Sequence, residues 1–206
     1  MRIERLENSK RKQERVLVYL EDGSILRITG AELLQFGLYQ GLDLPPETLA
    51  ALEAAARRSD TKRRGANMAA GRMLSKKELT SRLTRKGASP EDAADTADWL
   101  EELGAVDDAA YAGAIARHYG AMGCGAGRVR QELHRRGVPK ELWDEALAQL
   151  PPPEEAIRKF LRTKLRGRPL TPEDSRRMAA ALQRRGFSWQ DIRPALNELG
   201  QEIDEA

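Results

Sequence analysis

Three stretches of this chain align on one another without a gap. They are ELTSRLTRKGASPEDAADTADWL (78–100), RVRQELHRRGVPKELWDEALAQL (128–150) and RMAAALQRRGFSWQDIRPALNEL (177–199). Leu83, Leu133 and Leu182 correspond, and each lies four residues before a glycine: Gly87, Gly137 and Gly186. Each glycine lies 13 residues before another leucine: Leu100, Leu150 and Leu199. The offsets between copies are 50 and 49 residues. A unit of about 50 residues buries little apolar surface alone, so neighbouring copies have to pack on one another.

Each copy has the same physical logic. Leu79/Leu83, Val129/Leu133 and Met178/Leu182 are i,i+4 pairs, the apolar stripe of a helix. The glycine stands where that helix must stop, because glycine takes the left-handed C′ conformation without penalty. A second helix opens at once. Ser89 with Asp92, and Ser188 with Asp191, have the spacing of a capping box with Asp in place of Glu. Its apolar positions recur as Ala93/Thr96/Ala97/Leu100, Trp143/Ala146/Leu147/Leu150 and Ile192/Ala195/Leu196/Leu199, which is one buried face. A further helix precedes each pair. Residues 107–119 and 154–166 place Tyr111 and Phe160 at matching positions, 22 residues before Leu133 and Leu182. The first copy offers only a short one at 66–74. Ser75 with Glu78, and Thr171 with Asp174, cap the helices that follow.

The N-terminal part differs. Residues 16–20 and 25–29 are β-rich runs separated by Asp22-Gly23, a hairpin signal, and helical patterns follow at 31–38 and from Pro45-Pro46 onward. Only 5% of the residues are aromatic and 33% are charged, which suits thin helical layers better than one large core. The expected fold is all-α: three tandem three-helix repeats in an elongated curved array, with a small N-terminal β-hairpin and helix extension. The expected segments are 1–56 for the extension, then 57–106, 107–153 and 154–206 for the repeats.

The formal net charge of +3 hides strong segregation. Residues 57–86 carry 11 Lys/Arg against two acids, and residues 91–108 carry eight acids and no base. Residues 128–140 hold five bases and one acid, and residues 156–168 hold six bases and no acid. A basic pair stands before each turn glycine: Arg85-Lys86, Arg135-Arg136 and Arg184-Arg185. Cations in the last turn of a helix stabilise it through the dipole, but that does not explain the whole basic block. A positive track suited to a phosphate backbone or an acidic protein groove does. Arg72, Lys76, Arg82, Arg85, Lys86, Arg128, Arg135, Arg136, Lys159 and Arg162 are the expected contact residues.

Catalytic signals are weak. His118 and His134 lie on different helices with no ligand spacing around them, and the single Cys124 excludes an internal disulfide. The run Gly120 to Gly127 has no Gly-Lys-Ser/Thr and no preceding strand, so it is not a phosphate-binding P-loop and reads as a flexible loop. No secretory signal and no apolar membrane-length run is present, so a cytoplasmic protein is expected. No cofactor or metal is expected, and no enzyme activity.

The motifs resemble the RecX family of bacterial recombination regulators. Arg72-Met-Leu-Ser75-Lys-Lys-Glu78-Leu79 through Lys86-Gly87 is similar to that family's opening motif. Val106-Asp107-Asp108-Ala-Ala-Tyr111-Ala112 and Gly127-Arg128-Val129-Arg-Gln-Glu132-Leu133 through Gly137-Val138 are similar to two later ones. The resemblance covers about residues 66–200 and is weakest in the third repeat. It implies a non-enzymatic monomer that binds the RecA–DNA filament, with RecA and non-specific single- and double-stranded DNA as partners. It also implies inhibition of filament extension, ATPase and strand exchange during homologous recombination, DNA repair and the SOS response. Two alternatives stay open. A stand-alone helical nucleic-acid-binding module, transcription-factor-like, would leave a sequence-specific duplex footprint without RecA. A nuclease using the 91–108 acids would need Mg²⁺ and the Asp107 and Asp108 carboxylates.

Overall fold

The computed structural model describes residues 1–9 and 15–204. Residues 10–14 of the extension and 205–206 of the last repeat lie outside the described residues. The described chain forms two compact units: residues 1–72 with 79–105, and residues 73–78 with 106–206.

In the first unit, β1 (Ile3–Asn8), β2 (Arg15–Leu20) and β3 (Ile25–Thr29) form an antiparallel sheet in that order. The expected hairpin is therefore two strands of three. β1 escapes the sequence pattern because only Ile3 and Leu6 of its six residues are apolar and they do not alternate. Ile3, Val18, Leu20 and Ile28 are buried with Leu38, Leu44 and Leu52, which gives the sheet the partner a small β-element needs. α1 (Gly30–Gln35) opens with a full capping box between Thr29 and Glu32.

α2 (Pro46–Gly71) is one helix of 26 residues. It takes in the basic block from Arg57 to Arg64 and the stretch expected as a separate short helix at 66–74, which ends instead at Gly71. It crosses α4 (Pro90–Glu102) closely: a β-carbon on Gly65 would meet the Thr96 methyl at 2.6 Å. α3 (Lys76–Arg85) belongs to both units, which divide between Glu78 and Leu79.

The second unit continues with α5 (Asp108–Ala121), α6 (Ala126–Arg135), a 3₁₀ turn (Lys140–Leu142) and α7 (Trp143–Leu147). α8 (Pro153–Leu165), α9 (Pro172–Arg184) and α10 (Trp189–Asp204) follow. α7 is shorter than the apolar pattern to Leu150 suggests. No capping side chain starts it, and Pro151 follows its last turn. Two cores form here. One gathers Tyr111, Ile115, Val129, Leu133 and Val138, the other Ile157, Leu161, Met178, Leu182 and Ile192.

The aligned glycines do the same work three times. Gly87, Gly137 and Gly186 have φ of +91°, +70° and +91°. In each, the glycine N–H bonds the carbonyl three residues back, and the next N–H bonds the carbonyl of Leu83, Leu133 or Leu182. This is the Schellman end of a helix. The carbonyl just before the glycine also takes a donor from elsewhere in every copy. Lys86 O accepts from Arg64 Nη1 at 3.0 Å, Arg136 O from Ser75 Oγ, and Arg185 O from the Gly125 N–H at 2.9 Å.

The third of these contacts overturns the expectation for Gly120 to Gly127. The run is a packed seam, not a flexible loop. The Gly125 N–H bonds Arg185 O and the Gly127 N–H bonds Gly186 O, each at 2.9 Å. β-Carbons on Gly125 and Gly127 would lie 2.6 and 2.9 Å from Gly186 O, and one on Gly186 would lie 2.1 Å from the Arg128 amide nitrogen. Backbone touches backbone, and only glycine leaves room.

Gly87 and Gly186 provide a matched test. Both are at φ +91°, but a β-carbon on Gly87 meets nothing within 4 Å. Ala at either site costs roughly 1–2 kcal/mol for the left-handed backbone. Gly186→Ala adds about 1–3 kcal/mol of overpacking, so urea unfolding should show it clearly less stable than Gly87→Ala.

Candidate nucleic-acid interface

α6 carries most of the chemistry. Gly125 starts it, its apolar stripe Val129/Leu133 is fully buried, and Gly137 ends the turn that follows. Helical spacing then puts Arg128, Glu132, Arg135 and Arg136 on one side, since residues three and four apart are neighbours. Glu132 is only 4% exposed and acts as their common anion. Its carboxylate lies 3.3 Å from Arg128, 2.7 Å from Arg135 and 3.5 Å from Arg136. Arg135 donates two hydrogen bonds to the same oxygen, from Nε at 3.0 Å and Nη2 at 2.7 Å.

Burial pushes the Glu132 carboxyl up, but the Arg135 hydrogen bonds and charge, with Tyr119 and Arg128, outweigh it and hold the group below its usual range. Arg128 is further fixed over the Tyr119 ring at 5.8 Å. Arg136 donates to the Tyr111 hydroxyl and lies over that ring at 5.7 Å. Three guanidiniums share the Glu132 carboxylate and Glu78 also acts on Arg136, which still leaves a surplus of positive charge. The side chains of Arg135, Arg128 and Arg136 are 65%, 42% and 28% exposed.

The structure therefore brings Arg128, Arg135 and Arg136 together. The other expected residues lie on other elements. Arg72 is exposed at the end of α2, and Lys76 is half-buried in the first turn of α3. Arg82 is half-buried along α3, and Arg85 is exposed, with Nε on the Ser81 carbonyl at 3.3 Å. Lys86 is exposed and lines a small hollow with Arg64, Asn67 and Met68. Lys159 and Arg162 lie on the exposed face of α8.

In the second and third copies the basic pair is not two equal cations. Arg135 and Arg184 face solvent, whereas Arg136 and Arg185 turn inward. Arg185 stacks over Phe160 at 4.9 Å and donates to the carbonyls of Met122 and Gly123 at 3.3 Å. Sequence reasoning missed Asp60, the counterpart of Glu132 in the first unit. It lies 2.6 Å from Arg63, 2.7 Å from Arg64 and 3.8 Å from the buried Arg15. Burial raises this carboxyl, but those arginines outweigh it and hold it below its usual range. The available signal was an acid standing alone inside a basic block, true of both residues.

Among the described residues, no group of three or more His, Cys, Asp or Glu could hold a metal ion, and no helix is long and apolar enough to cross a membrane.

Models of the RecX family match residues 107–147 as its second three-helix domain and residues 153–196 as its third. A regulatory protein RecX of Chlorobaculum tepidum is 33% identical over 139 residues, covering 65% of this chain and 84% of that protein. One of Lactobacillus delbrueckii subsp. bulgaricus is 29% identical over 211 residues, covering 96% and 75%. A crystal structure of regulatory protein RecX superposes with a TM-score of 0.75 at 23% identity, covering 95% of this chain and 98% of that one.

The depressed Glu132 carboxyl makes a signed prediction. Its stabilisation is present above the ordinary carboxylate range and is lost as pH falls through the lower folded-state value. Glu132→Gln should cost about 1 kcal/mol near neutrality, a small figure because solvent screens its exposed partners. In urea unfolding, the gap between wild type and variant should narrow as pH falls below the ordinary carboxylate range.

Proposed function

The chain belongs to the RecX family of non-enzymatic regulatory proteins, and on that premise we propose that it binds the RecA–DNA filament and inhibits filament extension, ATP hydrolysis and strand exchange. The observation that carries this reading is the cation surplus on α6 within a chain of this family. A phosphate backbone is a sequence-independent ligand for such a surface. The basic stretches hold few aromatic rings, so stacking on bases contributes little and binding is indifferent to sequence.

The contacting residues in this reading are Arg72, Lys76, Arg82, Arg85, Lys86, Arg128, Arg135, Arg136, Lys159 and Arg162. They divide by job. Arg128 and Arg136 are braced by Glu132 and by tyrosines, so they shape the surface. Arg72, Arg85, Lys86, Arg135, Lys159 and Arg162 are exposed and carry the electrostatic attraction. The protein acts as a monomer with repeats at 57–106, 107–153 and 154–206, and meets RecA and DNA together.

RecA-catalysed ATP hydrolysis on single-stranded DNA tests this. Stoichiometric protein should slow it. A variant with Arg85, Lys86, Lys159 and Arg162 each changed to Glu should need roughly tenfold more protein for the same effect, about 1.4 kcal/mol of lost binding. No change in hydrolysis at stoichiometric wild-type protein would remove the reading.

A further inference from the structure

Glu132 is chemically out of place on a surface meant for phosphates, since it adds a negative charge at its centre. In the aligned copies the corresponding positions are Arg82 and Ala181, so only the middle copy has an acid there. It is buried, and it takes two N–H groups of Arg135 on one edge of the guanidinium. A guanidinium has five N–H donors in a planar fork. The outer edge of Arg135 is left toward solvent, oriented rather than free to rotate. Arg128 is fixed likewise between Glu132, the Tyr119 ring and the Gln131 amide oxygen at 3.5 Å.

We propose that Glu132 is a positioning residue, which holds Arg135 and Arg128 as a pre-set fork for the non-bridging oxygens of a phosphodiester. The proposal rests on the filament-binding reading above and adds the group contacted and the residue that arranges it. A long flexible side chain loses rotamer freedom when it binds, and a side chain already held in place loses less. Paired charge-assisted hydrogen bonds from an arginine fork also fit phosphate geometry better than a mobile point charge does.

The two possible roles of the acid predict opposite signs. Glu132→Gln raises the local positive charge by one. If Glu132 only tempers the charge, the variant binds a phosphate chain more tightly and with a steeper salt dependence. If Glu132 positions the fork, the variant binds more weakly and the salt dependence becomes shallower.

The test is a titration of the full chain against a fluorescent thymidine 30-mer across a range of NaCl concentrations. The expected result for Glu132→Gln is affinity reduced about fivefold to tenfold, with a smaller slope of log K on log salt. Arg135→Ala, at an exposed site whose loss leaves the core intact, should lower that slope by about 0.7 for one lost single-strand phosphate contact. Adding Glu132→Gln to Arg135→Ala should then cost less than it does alone, because the two act through one fork. Tighter or unchanged binding by Glu132→Gln, an unchanged slope for Arg135→Ala, or no binding by the wild type overturns the proposal. RecA ATPase inhibition is measured in parallel. If Glu132→Gln binds the oligonucleotide as wild type does while the wild type still inhibits RecA, the fork fails and the filament reading stands. If the wild type binds the oligonucleotide but leaves RecA unaffected, the filament reading fails.

Discussion

The carbonyl that precedes each turn glycine meets a donor from another segment in all three copies, and these contacts tie the repeated turns to what precedes them. A helix end leaves several carbonyls without partners, and burying one unpaired costs free energy comparable to a lost hydrogen bond. The Schellman turn satisfies two of them within each copy. The next one out is Lys86, Arg136 or Arg185, and three unlike donors serve it: a guanidinium, a hydroxyl and a backbone amide. Ser75 does two things at once, since it also accepts from the Glu78 N–H to start α3. Where the donor is the backbone itself, at Gly125, the chains must come closest, and glycines line both sides of the contact.

Charge follows the same economy of placement. Two of the three basic stretches, 57–86 and 128–140, are not uniformly solvated faces, because each contains a buried or half-buried acid that gathers arginines. Asp60 links Arg15 of the sheet to Arg63 and Arg64 of α2, and Arg64 in turn reaches the Lys86 carbonyl. Glu132 gathers Arg128, Arg135 and Arg136. In both places one carboxylate faces three guanidiniums, which leaves net positive charge while fixing where it lies.

Much of this was legible in the sequence. The repeat offsets, the leucine pairs and the left-handed glycines follow from helical periodicity and from what only glycine tolerates, and Leu83, Leu133 and Leu182 are all fully buried. Ser89, Thr171 and Ser188 cap as their spacing predicts. What failed to show has a physical reason in each case. β1 is held by pairing with β2, a tertiary contact that its own charged residues do not advertise. The continuity of α2 did not show because the stretch 57–64 between its two halves carries no apolar residue, and Gly65 is there to admit Thr96. The seam at Gly125 and Gly127 looked like slack because closeness of two backbones leaves no apolar signature. The inward turn of Arg136 and Arg185 could not be read from a dipeptide that contains two identical residues.

Arg64 closes the first copy in a way that bears on how such chains grow. In the later copies the turn carbonyl is met by the start of an earlier helix, so each can receive a predecessor. In the first copy that seat is already taken by a side chain of the helix leading out of the sheet. A further unit placed ahead of the first would compete with that guanidinium for the carbonyl, and the residue that holds it belongs to none of the aligned stretches.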